Sequence, residues 1–370
     1  MALLTGQHAA ALDQVEPGPS PEDRVLPDAV ATLPEVLQDA GWTTVGVAGN
    51  HNYNVDTGLV QGFDRFRDAQ KPSYRPSGRT PAARVVAEGL AALDARPDWL
   101  AERPFYLQLS FVDAHSPLQR LPELEQELDP DRPNADYRAA IRKIDDAVQQ
   151  LVDELDARHH EVGVDTLLVV VSEHGEGLGD PPHHGKRHGH VLYETSVAIP
   201  WIVVGPGVDP GRGGRWIGGL ASQTDLAPTL LDLAGAPALP GPLDGHSWAA
   251  QVRGQGDRTD RTRAFSDTWY FTSNRAAIWT DAMACQRDFG SLKQDGDAPF
   301  ADGCYDRTID PEFRNLKQDA ALLGELEAWR AEVSAAVTER PDAGGEGREA
   351  GDEEVEEVEE VEGPPDAPAG

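Results

Sequence analysis

Apolar residues from Leu33 to Gly41 (LPEVLQDAG) recur at helical spacing and stop at a glycine, whereas those from Trp42 to Gly49 (WTTVGVAG) run together as in a buried strand. The same unit then repeats. PFYLQLSFVDAH, from Pro104, is an apolar strand with a polar end, and Tyr137 to His159 is a long helix with Ile141, Ile144, Val148, Leu151, Val152 and Leu155 on one face. DTLLVVVSEHG, from Asp165, is a second such strand, IPWIVVGPG a third, and DLAPTLLDLAG the helix after it. Strands alternating with helices predict an α/β fold: a large mixed, mostly parallel sheet flanked by helices. Ligands gather outside the carboxyl ends of strands in such sheets, and two of these strands end in acids and histidines.

Past Ala236 the pattern changes. Proline and glycine cluster up to Gly245, and short aromatic runs follow, predicting a small antiparallel sheet over residues 262–318 with a closing helix from Asp319 to about Thr338. Three units result: 1–261, 262–341 and a tail, 342–370. The tail (GDEEVEEVEEVEGPPDAPAG) has too few large apolar side chains to offset the entropy of ordering and reads as disordered.

The tail carries −11 of the formal charge of −32, which leaves −21 on the body. Binding a phosphate backbone needs a basic face, so a nucleic-acid partner is excluded. No apolar run reaches the roughly 18 residues of a membrane span. The opening MALLTGQHAAALDQ lacks the basic start and sustained apolar core of an export signal, so compartment stays open. Cys285 and Cys304 are the only cysteines. They are either two buried thiols or one disulfide tying neighbouring strands, the latter implying an oxidising compartment.

The chemistry concentrates in SEHGEGLGDPPHHGKRHGHVLYET, where Glu173 and His174 end a strand and His183, His184, His188 and His190 follow. Carboxylates beside imidazoles suit ester hydrolysis, which needs a cation for anionic oxygens and a proton donor for the leaving oxygen. This stretch resembles the sulfatase family of the alkaline phosphatase superfamily, in which a strand ends in S-D-H-G and a histidine precedes Leu-Tyr-Glu. Five further motifs stand in the family's order between residues 3 and 316: LLTGQHA, GLVQGFDRF, PFYLQLSFVDAHSPL, SQTDLAPTLLDLAG and CYDRTIDPEFRNL. The nucleophile of that family stands seven residues before the first Leu of L-L-T-G, and counting back from Leu3 passes Met1. The nucleophile motif and the preceding strand, with its paired metal-binding aspartates, are therefore expected to be missing, leaving a groove in the sheet and low stability.

The resemblance implies an alkaline phosphatase-like fold and hydrolysis of a small-molecule or saccharide sulfate ester. It implies catalytic contacts from His115 and His188, substrate contacts from Asp113 and His190, and metal ligation by Glu173 and His174. Glu173 departs from the family's Asp. The implied cofactor is a divalent metal, calcium first, with magnesium, manganese or zinc as alternatives; a formylglycine nucleophile is expected only in an intact homologue. Alternatives are a phosphoester hydrolase or transferase of the same fold, or an inactive binding remnant. Asp225 reads as a helix cap.

Overall fold

The computed structural model describes residues 1–12, 25–50, 53–68, 80–95, 103–129, 133–162, 165–179, 186–189, 192–209, 211, 213–268, 274–290, 302–308 and 319–339. His183, His184, His190, residues 309–316 of the last motif and the acidic tail lie outside these.

In chain order the elements that frame the site begin with α1 (Ala2–Thr5), α2 (Ala9–Leu12), α3 (Leu33–Asp39), β1 (Thr43–Ala48), β2 (Arg65–Asp68), α4 (Ala82–Asp94) and β3 (Phe105–Ser110). Then come α5 (Pro122–Glu127), α6 (Ala135–Val162), β4 (Leu168–Val171), β5 (Gly177–Leu178), β6 (Lys186–Arg187), α7 (Glu194–Val197) and β7 (Trp201–Val204). The chain continues through α8 (Leu226–Ala234), α9 (Ala249–Val252), β8 (Ala264–Thr268), β9 (Arg275–Trp279), β10 (Met283–Asp288), β11 (Gly303–Asp306) and α10 (Ala320–Glu339).

Local chemistry sets the first unit. Thr32 and Glu35 close a capping box at the start of α3: the Glu35 amide donates to the Thr32 hydroxyl at 3.3 Å, and the Thr32 amide to the Glu35 carboxylate at 2.8 Å. The helix ends at Asp39, and Gly41 takes the left-handed conformation (φ 86°) that turns the chain into β1. Strand β1 is buried at all six positions and lies between β2 and β3, parallel to both. Its Val45 and Val47 pack on Leu93 and Val85 of α4, while Leu33, Val36 and Leu37 of α3 pack with Ala227 and Leu231 of α8. Ile144, Leu151 and Leu155 of α6 meet Leu107 and Leu109 of β3, as the helical stripe predicts, but Ile141 is 44% exposed.

The α/β architecture matches the pattern, yet its main sheet comes in two pieces. Strand β4 pairs only with β7, antiparallel, and neither joins β3 among the described residues. Directly opposed residues of such a pair share a face, which puts Leu168, Val170, Ile202 and Val204 together. Three of them are exposed: Val170 by 36%, Ile202 by 52% and Val204 by 56%. A mostly parallel sheet normally buries such residues under helices.

The C-terminal sheet is continuous, antiparallel and ordered β11-β10-β9-β8. One face packs Ile278, Cys285 and Cys304 against Leu322 and Leu326 of α10; the other packs Trp279 and Tyr305 against Leu192 and Tyr193. Cys285 and Cys304 are directly opposed on β10 and β11 and form a disulfide, so of the two readings open in the sequence the free-thiol one does not hold. Among the described residues no helix is long and apolar enough to cross a membrane.

Candidate active site

Three histidines from three separate segments meet beyond the carboxyl ends of β3 and β4. His115 closes a turn after β3, its amide donating to the Val112 carbonyl at 3.1 Å. His174 follows β4 almost at once, and the Ser172 hydroxyl donates to the His174 carbonyl at 2.6 Å. The next residue, Gly175, donates its amide to the Ser196 carbonyl at 2.8 Å. A Cβ there would lie 2.1 Å from the Thr195 carbonyl oxygen, so only glycine lets the two segments approach.

His188 sits just past the β5–β6 hairpin, whose register pairs Gly177 with Arg187. After it, Gly189 adopts φ 84°, and its carbonyl accepts the hydroxyl of Thr268 at the end of β8. Leu192 and Tyr193 then enter the core of the C-terminal sheet. That sheet thereby holds the loop presenting His188.

The rings of His174 and His188 stack, with centroids 3.8 Å apart and planes at 25°. His115 stands edge-on to both, 4.9 Å from His188 and 6.3 Å from His174. Nδ1 of His115 lies 2.6 Å from the Ser116 carbonyl, and Nδ1 of His174 2.8 Å from the Gly175 carbonyl. Carbonyls only accept, so both Nδ1 atoms carry protons, and any further contact of these rings runs through Nε2. Nδ1 of His188 faces the carboxylate of Glu176, 3.3 and 3.4 Å from its two oxygens.

Glu173 is exposed on the same strand end. The hydroxyl of buried Tyr53 donates to its carboxylate; burial, and then the Glu173 charge, hold the Tyr53 phenol well above the usual range. The Gln223 side-chain amide donates to the Ser172 carbonyl at 3.5 Å and to that of Glu173. Asp113 is buried and pairs through Oδ1 with Nζ of Lys143 on α6 at 2.8 Å, while its Oδ2 has no partner among the described residues.

Asp225 is fully buried and does more than cap. It closes a capping box with Ser222 (amide to Oδ2, 2.8 Å) and accepts Trp248 Nε1 at 2.8 Å, the His246 amide at 2.7 Å and the Arg261 guanidinium. Every polar valence of the carboxylate is used, which makes it a structural cross-link.

Sequence reasoning overlooked Tyr53, Lys143 and Glu176. Tyr53 and Lys143 carry no local signal, because only packing brings them to Glu173 and Asp113. Glu176 stands two residues after His174, but only the β5–β6 register brings it across from His188. Among the described residues no group of three or more His, Cys, Asp or Glu side chains gathers as a metal site.

The family model described as Sulfatase matches residues 1–236. A sulfatase of Metarhizium majus is 36% identical over 101 residues, covering 26% of this chain and 22% of that relative. The chain thus spans about a fifth of the length of the curated relatives it first matches. A protein solved with its substrate, D-glucosamine-2-N,6-O-disulfate, superposes with a TM-score of 0.63 at 16% identity, covering 91% of this chain and 87% of the other. The phosphonate monoester hydrolase of Agrobacterium radiobacter superposes with a TM-score of 0.62 at 16% identity, covering 91% and 85%. With more than half of its length matched by one family model, and its fold shared with alkaline phosphatase superfamily structures, this chain belongs to the sulfatase family.

Proposed function

We propose that the protein acts on sulfate esters, and the convergence of His115, His174 and His188 is the observation that carries this reading. A sulfate ester is an anion whose leaving alkoxide needs a proton. Rings held by their Nδ1 protons offer Nε2 for both tasks: protonated, it donates to a non-bridging oxygen or gives its proton to the leaving oxygen. In this proposal His115 and His188 do that work. Asp113, whose Oδ2 has no partner among the described residues, takes a substrate hydroxyl, and His190 is assigned to the substrate from its sequence motif alone.

Family members generally use a metal ion, which supplies electrostatic stabilisation of the ester oxygens. Glu173 and His174 are the donors we assign to it. They do not fit such an ion by themselves: Glu173 already accepts from Tyr53, the His174 ring is stacked on His188, and no third ligand gathers among the described residues. No described residue is assigned as the attacking group, and the Cys285–Cys304 disulfide supports an oxidising compartment.

Two assays test the reading. The 370 residues alone should turn over an aryl sulfate no faster than a His188→Ala control, and clear turnover above that control would mean that the chain holds an attacking group. Titration with inorganic sulfate should show saturable binding that His115→Ala and His188→Ala each abolish; unchanged binding in both variants would remove the ester site. The fold likeness to a phosphonate monoester hydrolase favours one second reading, phosphorus chemistry. Tighter binding of inorganic phosphate than of sulfate would support it.

A further inference from the structure

We propose that Glu176 is the positioning residue of this site: it takes the Nδ1 proton of His188 and so commits Nε2 of that ring to whatever anion the imidazoles hold. The inference rests on reading the site as an ester-binding centre.

Three observations lead to it. The first is tautomeric. Backbone carbonyls take the Nδ1 protons of His115 and His174, whereas His188 meets a carboxylate there, 3.3 and 3.4 Å from its two oxygens. A carboxylate only accepts, so the opposite tautomer would set the Nδ1 lone pair against those of the oxygens. All three rings then share one tautomer and act through Nε2.

The second observation is burial. Side-chain exposure is 8% for Glu176 and 17% for His188, so water competes little for the contact, unlike a surface pair. Glu176 also lies close enough to Tyr137 for its charge to add to burial in raising that phenol.

The third is topology. The pairing of Gly177 with Arg187 places residues 176 and 188 across from each other where the hairpin opens. On the far side the Thr268 hydroxyl holds Gly189. The loop fixes where the ring stands; the carboxylate fixes which way it faces. In metal sites, partners that orient a histidine through its second nitrogen are worth about ten- to a hundredfold in affinity or activity.

The experiment is long-range proton–nitrogen NMR of the full chain labelled with nitrogen-15 in histidine, with Glu176→Ala and Glu176→Gln variants and inorganic sulfate as the probe. In the wild type, His188 should carry its proton on Nδ1. Glu176→Ala should lose that preference and weaken sulfate binding about tenfold or more, leaving the tautomers of His115 and His174 unchanged. Glu176→Gln, whose amide oxygen still accepts, should restore both. A wild-type His188 protonated on Nε2 and bare at Nδ1, or one whose tautomer Glu176→Ala does not move, would overturn the assignment. Should Glu176→Ala not fold, the wild-type and Gln spectra still decide. Should wild-type tautomers agree while sulfate shifts no imidazole signal, the positioning role stands and the ester-binding reading falls.

Discussion

The C-terminal sheet has the more polar strands, AFSDT, MACQRD and GCYD among them, yet it is better covered than the β4–β7 ribbon of LVVV and WIVV. Strand β9 is buried at all five positions, between β8 and β10 and beneath α10. Strand β7 is exposed at alternate positions and, among the described residues, pairs only with β4. Apolarity makes a strand suitable for a core, but only neighbours on both edges and both faces put it there. The segments after β3 and β4 carry His115 and His174, so both pieces of the main sheet deliver residues to the candidate site.

Substitutions can break this comparison. Ile278→Ala, in the fully buried centre of β9, should cost about 2–5 kcal/mol in urea unfolding, since it removes packing and leaves a cavity. Opening the disulfide with Cys285→Ser and Cys304→Ser should cost about 2–4 kcal/mol, because the bridge closes a span of 19 residues in the unfolded chain. Thr268→Val removes one hydroxyl contact to the Gly189 carbonyl and should cost about 1 kcal/mol. Its sharper readout is the His188 NMR signal, which should broaden if the C-terminal sheet holds that loop. The smallest effect belongs to Ile202→Ser, at 52% exposure, which should stay within about 0.5 kcal/mol. A loss there comparable to that of Ile278→Ala would mean that the β4–β7 face is covered in solution.

Legibility followed the range of the interactions. The α3 helix with its closing glycine and strand β1 are local, and their pattern places them within a residue or two. His115 and His174 follow strands with polar ends, which the pattern shows, whereas the resemblance to the sulfatase motif singled His188 out among its neighbouring histidines. That Asp113 pairs with Lys143 could not be read, since the two residues lie on β3's exit turn and on α6. Asp225 was read as a cap because its own turn shows one; its bonds to Trp248 and Arg261 cross long stretches of chain.

By itself the sequence determined the strongly periodic elements, among them α3, β1, β3, α6 and β4, and which strand ends carry imidazoles and acids. Those properties depend on side-chain periodicity and turn chemistry within a few residues. Tertiary structure alone decided which apolar strands are buried, that the two cysteines meet, and which acceptor each imidazole faces. Those outcomes depend on pairing across the sheet and on groups brought together by packing, and no local pattern encodes the orientation of a ring against a residue twelve positions away.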